Sequence, residues 1–377
     1  GRRLDGALSP IVTGETAGGC FAPAGTSGTI KGFAVEPVTS EMILSQGSIG
    51  IGSIAALSLL YLLVLYSVGR LGRRFTGKHP LAPWVFSFAL AIYCTSWAFY
   101  GVTAQAAVNG WWIPPTYIGS LLLFWFGFGL ISRIAMVCRR LRITSVADFI
   151  ATRYGHSRLL AVITTLIVLM AVIPYIALQL QAVSTSINAL VGTDTLIGTG
   201  KATLWYQDTG LYVSLWLAVF AMLFVGRSAK AHQPNPGLMT AIAFESLVKL
   251  LALLAVGCFV VFGLFDGFAD IFAKAALSND VATLQSQGAP VSVYWIHVLL
   301  GFAATLCLPR QFHVSFVEIQ HLRHLKHARW IFPGYLLLMS LFTLPVALAG
   351  TLLLGHSASI DLVVLQLPLS ANRTDMA

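Results

Sequence analysis

Apolar residues gather in eight long stretches, at positions 50 to 68, 81 to 107, 111 to 136, 159 to 190, 210 to 226, 237 to 265, 292 to 320 and 329 to 354. Each approaches the ~20 residues that a helix needs to cross a hydrocarbon core, so the pattern predicts eight transmembrane helices. Polar interruptions at 69 to 80, 139 to 158, 227 to 236 and 321 to 327 mark loops on one side. The connections at 191 to 210 and 266 to 292 lie on the other side and are long enough to hold short surface helices.

Charge orients this stack. Fifteen basic residues fall in alternate loops: Arg70, Arg73, Arg74, Lys78, Arg133, Arg139, Arg140, Arg142, Arg153, Arg158, Arg227, Lys230, Arg323, Lys326 and Arg329. Six lie on the opposite side, namely Arg2, Arg3, Lys31, Lys201, Lys274 and Arg373. Positive charge is retained on the cytoplasmic face, which puts the N-terminus outside a bacterial-type inner membrane. A composition of 57% hydrophobic and 10% charged residues agrees, because a soluble chain needs more charge to coat its surface. The net charge of +9 is then a topology signal. It does not indicate nucleic acid, since the basic residues are spread over four short loops and form no single stripe.

Little else in the composition points to chemistry. Cys20, Cys94, Cys138, Cys258 and Cys307 show no CxxC or Cys/His spacing, so no disulfide framework, zinc site or other cofactor is implied. GIGSIA at 50 to 55 matches a dinucleotide fingerprint but opens an apolar span with no strand before it, and GTGK at 198 to 201 lacks the first glycine of a P-loop. Without a phosphoacceptor or ATP-binding motif these residues are not expected to form an enzyme. Residues 1–41 are rich in small and polar types, precede the first methionine, Met42, and read as a disordered or artefactual extension. Residues 42–360 form the membrane domain, and 361–377 read as a tail cut short.

Several polar groups sit where apolar ones are expected. Thr95, Ser96 and Trp97 lie mid-segment in the second stretch with Gly101 one turn on, where a helix can unwind and expose carbonyls; equally, the hydroxyls can bond back to their own helix. Glu245 and Lys249 are four apart on one face of the sixth stretch, a costly pair to insert in a bilayer, either structural or lining a pathway. Pro309 interrupts the seventh stretch directly before Arg310, Gln311 and His313, marking either the end of a short helix or a break within a longer one. Gln179 and Gln181 follow Pro174 in the fourth, as polar lining or as satisfied core amides. His321, His324 and His327 recur every three residues, and a solvated loop explains them better than a metal.

Three stretches carry a resemblance: YCTSWAFYG at 93 to 101, RITSVADFIATRYG at 142 to 155 and PYIALQLQAVSTSI at 174 to 187. They resemble consecutive signatures of the sodium/solute symporter family. With residues 237 to 267 and CLPRQFHV at 307 to 314, the likeness is closest to the membrane input domain of CbrA-type sensor histidine kinases. It implies an all-α polytopic membrane protein with the inverted-repeat, leucine-transporter-like fold, truncated in its second repeat, with its site at two broken helices near the midplane.

The resemblance also distributes roles. Backbone carbonyls of Ala91 and Cys94 would face a coupling ion, Na+ or H+, with Glu245, Ser246, Lys249 and His313 in coupling positions. Thr95, Ser96, Trp97, Gln179, Arg310 and Gln311 would meet the solute, a small amino-acid-like metabolite. Tyr93 stands where sodium-coupled relatives carry an acid, Ser246 takes a family aspartate's place and Lys249 a glutamine's. A lysine ammonium there can occupy the place of a sodium ion. The implied function is a solute-sensing or transporting domain feeding a histidine kinase, and through it a response regulator; the alternative is a dedicated cation-coupled transporter.

Overall fold

The computed structural model describes residues 29–30, 33–34, 50–74, 79–191, 209–225, 235–355 and 360–371. Of the N-terminal extension this includes one antiparallel ladder, β1 (Thr29–Ile30) against β2 (Phe33–Ala34). All other regular structure among the described residues is helical, as expected of an all-α polytopic membrane protein: backbone groups in hydrocarbon must be satisfied within the chain, and a helix does so locally.

The helices follow the apolar stretches but break them. After α1 (Ile51–Gly72) come α2 (Ala82–Ala89), continued by a 3-10 turn Leu90–Tyr93, and α3 (Trp97–Asn109). Then α4 (Pro115–Trp125) and α5 (Phe128–Leu141) meet at a 74° bend. A short α6 (Val146–Arg153), with Ser145 accepting from the Asp148 N–H as its N-cap, leads to α7 (Arg158–Val191) and α8 (Thr209–Val225). The second half runs through α9 (Pro236–Cys258), which ends in a π turn Phe259–Leu264, then α10 (Phe268–Leu277) and α11 (Asn279–Ser286). It continues with α12 (Val291–Cys307), α13 (Pro309–Phe312) with a π turn His313–Val317, α14 (Arg323–Ser340), α15 (Thr343–Leu354) and α16 (Val363–Ser370).

The apolar stretches are therefore not all uninterrupted helices. Among the described residues four helices are long and apolar enough to span, or up to six if each of two bent pairs counts as one. The reason is local: the second stretch breaks at Cys94–Ser96, the third bends at Phe126–Gly127, and the seventh breaks at Leu308, held extended by Pro309 behind it. Two other expectations shift. The histidine stretch is no loop, since α14 begins at Arg323 and buries His324. Gly101 lies inside α3, so the chain unwinds before it and not at it. The expected short helices appear at α10 and α11, while the connection at 192–208 lies outside the described residues.

The core is built where α2, α3, α4, α9, α14 and α15 converge, around Leu90, Phe124, Phe332, Leu336 and Met339. Lipid tails are as apolar as leucine, so burial among helices gains no hydrophobic driving force, and close packing with interhelical hydrogen bonds must hold them. The α4–α12 crossing shows this: a Cβ on Gly119 would strike the Val298 carbonyl and one on Gly301 the Thr116 carbonyl. Beside that contact Ser120 Oγ and Thr305 Oγ1 share a buried hydrogen bond of 2.8 Å.

Candidate functional site

The break in the second stretch organises its surroundings. Cys94 is extended (ψ 104°), so the helical register stops there and resumes at Trp97, releasing carbonyls from their usual i+4 partners. Two side chains of the α12–α13 break and one of α9 reach these carbonyls. Gln311 Nε2 donates to Leu90 O at 3.2 Å, Arg310 Nη2 to Tyr93 O at 3.4 Å, and Lys249 Nζ to Cys94 O at 3.4 Å. The Ala91 carbonyl is buried and accepts from Cys94 N–H within the turn. Placing cations at a helix C-terminus satisfies its negative end, so the two charges and the break stabilise each other.

Each cation has a second support. Lys249 pairs with Glu245 at 2.5 Å, as their four-residue spacing requires. The Arg310 guanidinium lies over the Tyr175 ring, 4.8 Å from its centre, one residue beyond Pro174 on α7. Arg310 Nε and Gln311 Oε1 are buried with no hydrogen-bond partner among the described residues, leaving one unused donor and one unused acceptor beside the break.

The rest of the cluster fixes the chain on either side. Tyr93 OH donates to Thr116 O, and the Cys94 thiol to Tyr117 OH, both on α4. Ser96 Oγ donates to Gln179 Oε1 at 2.5 Å, and Ser186 Oγ to Tyr100 OH at 2.6 Å, which ties α7 to α3. Thr95 sits in the break itself; Trp97 opens α3, its side chain outside the described part.

Two expected members behave differently. Ser246 is buried and its hydroxyl donates back to Ile242 O, while Tyr335 OH donates to its carbonyl, so it serves helix packing. His313 does not join the break: its Nε2 meets Glu318 Oε1 at 3.1 Å, and Glu318 Oε2 accepts from Asn235 N–H at the N-cap of α9. Glu318 escaped sequence reading, although an acid inside an apolar stretch was the signal. Tyr175 and Tyr117 carried no signal, because tyrosine is ordinary in a membrane helix. Arg329, expected in a loop, lies in α14 and donates to Trp125 O at 2.8 Å, capping α4 where the chain bends. Among the described residues no group of three or more His, Cys, Asp or Glu could hold a metal ion.

Comparison with known proteins adds a family likeness. Residues 75–220 match the family described as Sodium:solute symporter family, a stretch that includes the break, Ser96 and Gln179 but ends before Lys249 and Arg310. The chain is 25% identical over 301 residues to the uncharacterized symporter YhjB of Bacillus subtilis (strain 168). That alignment covers 76% of this chain and 55% of the relative, so the chain spans about half of the relative's length. No solved structure matches the chain.

Proposed function

We propose that this chain is the membrane domain of a cation-coupled secondary transporter of the sodium/solute symporter type, carrying a small polar solute through a site at the Cys94–Ser96 break. The observation that carries this is the convergence of Lys249, Arg310 and Gln311 on the carbonyls of one interrupted helix. Interrupted helices with exposed carbonyls are where transporters of this architecture hold ion and solute. The symporter likeness supports the same reading.

The finer assignment follows from what fills the break. A coupling cation would use the Ala91 and Cys94 carbonyls, and the Lys249 ammonium already donates to the latter, which favours proton over sodium coupling with Glu245 as the adjoining acid. Arg310, with an unused Nε, and Gln311, with an unused Oε1, suit an amino-acid-like solute, which Thr95, Ser96, Trp97 and Gln179 would meet once the Ser96–Gln179 hydrogen bond opens. Ser246 and His313 support the helices and take no part in coupling. The membrane is a bacterial-type inner membrane, with the N-terminus outside. The kinase-coupled sensory role draws no support from the comparisons, both of which name symporters.

The test is solute uptake by the natural full-length protein in proteoliposomes. Uptake should persist when choline replaces sodium, collapse with a protonophore and be lost in Lys249→Gln. Strict sodium dependence with Lys249→Gln unimpaired returns Lys249 to a purely structural partner of Glu245.

A further inference from the structure

The 74° bend after α4 turns α5 away from the direction of the α4 and α12 helices, which pack side by side. Three faces run along α5. Ile131, Ala135 and Cys138, spaced four and three apart, are buried against the protein. Leu130, Val137 and Leu141, spaced seven and four apart, form a second stripe that is apolar and exposed. Arg133 and Arg140, seven apart, lie on a third, beside the exposed apolar stripe, with Arg139 on the far side and Arg142 at the C-cap. Arg153 and Arg158 follow around α6, where Tyr154 is also exposed. All six arginines are exposed and none forms an ion pair among the described residues. The one acid between Phe128 and Arg158, Asp148, accepts from Thr144 N–H, Thr144 Oγ1 and Thr152 Oγ1.

We propose that α5 lies in the membrane interface as an anionic-lipid site, its Leu130, Val137 and Leu141 stripe among acyl chains and its arginines on the phosphates of acidic phospholipids. An exposed apolar row flanked by unpaired arginines is what an interfacial helix presents, and planar guanidinium forks match phosphate oxygens. A soluble partner would have no use for the leucine stripe, whereas the headgroup boundary accommodates both faces at once.

Native mass spectrometry of the purified chain, incubated with equal amounts of phosphatidylglycerol and phosphatidylcholine, tests this. Phosphatidylglycerol should be retained in preference. At roughly fivefold for each basic residue near an anionic surface, Arg133→Gln with Arg140→Gln should weaken its retention by about thirtyfold. Arg133→Lys with Arg140→Lys should keep it, and circular dichroism should show both variants folded. Arg70→Gln with Arg74→Gln, on α1 and just beyond it, should have a clearly smaller effect. Equal loss in the α1 and α5 variants, or no loss in either, overturns the proposal. So does displacement of phosphatidylglycerol by inorganic phosphate, which would mark a free-anion site.

Discussion

α7 and the α14–α15 segment are both apolar, at 34 and 32 residues, yet none of the most apolar stretch of α7 is buried in the protein, against 72% for α14–α15. Hydropathy cannot separate them, because lipid and protein interior are equally apolar solvents. Side-chain size can. Buried positions of α15 include Ala347, Ala349 and Gly350, which admit neighbouring backbone closely, whereas α7 buries only Ala182 and Ser184 and turns Leu166, Ile167, Leu169 and Met170 outward. In α15 small residues stand where neighbouring helices approach closely, and in α7 the large side chains face outward.

The largest effect should come from disturbing that close approach. A Cβ on Gly350 would overlap the Val363 side chain, so Gly350→Leu overpacks the α15–α16 contact and should cost upwards of about 3 kcal/mol. Leu166→Ala on the exposed face of α7 should stay within about 0.5 kcal/mol. Thermal unfolding of both variants in one detergent checks this; equal shifts would break the comparison.

Polar contacts in the centre come next. Arg310→Ala frees the Tyr93 carbonyl and the Tyr175 ring and should cost about 1.5 to 3 kcal/mol, whereas Arg323→Ala, at the exposed start of α14, should change little. The Glu245–Lys249 pair is partly open, with side chains 38% and 23% exposed, so Lys249→Met should cost less, about 1 to 2 kcal/mol. Glu245→Gln added to Lys249→Met should recover part of that loss, since no unpaired carboxylate then remains. Chemical denaturation of the single and double variants measures it.

How far the sequence foretold this depends on which force set each feature. The break at Leu308 was legible because Pro309 acts on its own neighbour, and the Glu245–Lys249 pair because four residues make one helical turn. The break between α14 and α15 at Leu341–Phe342 had a signal that went unread: Pro345 offers no N–H to the Leu341 carbonyl four residues back, which accepts from Trp112 Nε1 instead, while Phe342 packs against Gly257 and Phe268. The candidate residues at the break were named from their resemblance, but not their partners: Arg310 and Tyr93 are 217 positions apart, and only the folded chain brings them together. The partners of His313 and Ser246 were equally hidden, because Glu318 and Tyr335 meet them on surfaces that periodicity does not address.

The smallest expected effect is the most direct probe of α7. Two hydrogen bonds join it to the broken helix, Ser96 to Gln179 and Ser186 to Tyr100, both from the C-terminal half that follows Pro174. Interhelical hydrogen bonds in membranes are worth about 0.6 kcal/mol each, because a helix released into lipid finds other partners. A double-mutant cycle of Ser96→Ala and Gln179→Leu should therefore give a coupling near that value in unfolding free energy. A coupling above about 2 kcal/mol would mean that α7 is held as firmly as an interior helix, and exposure would no longer distinguish the two regions. A small coupling that nonetheless alters solute uptake would separate the two roles: lipid and packing hold α7 in place, and Gln179 sets the geometry of the break.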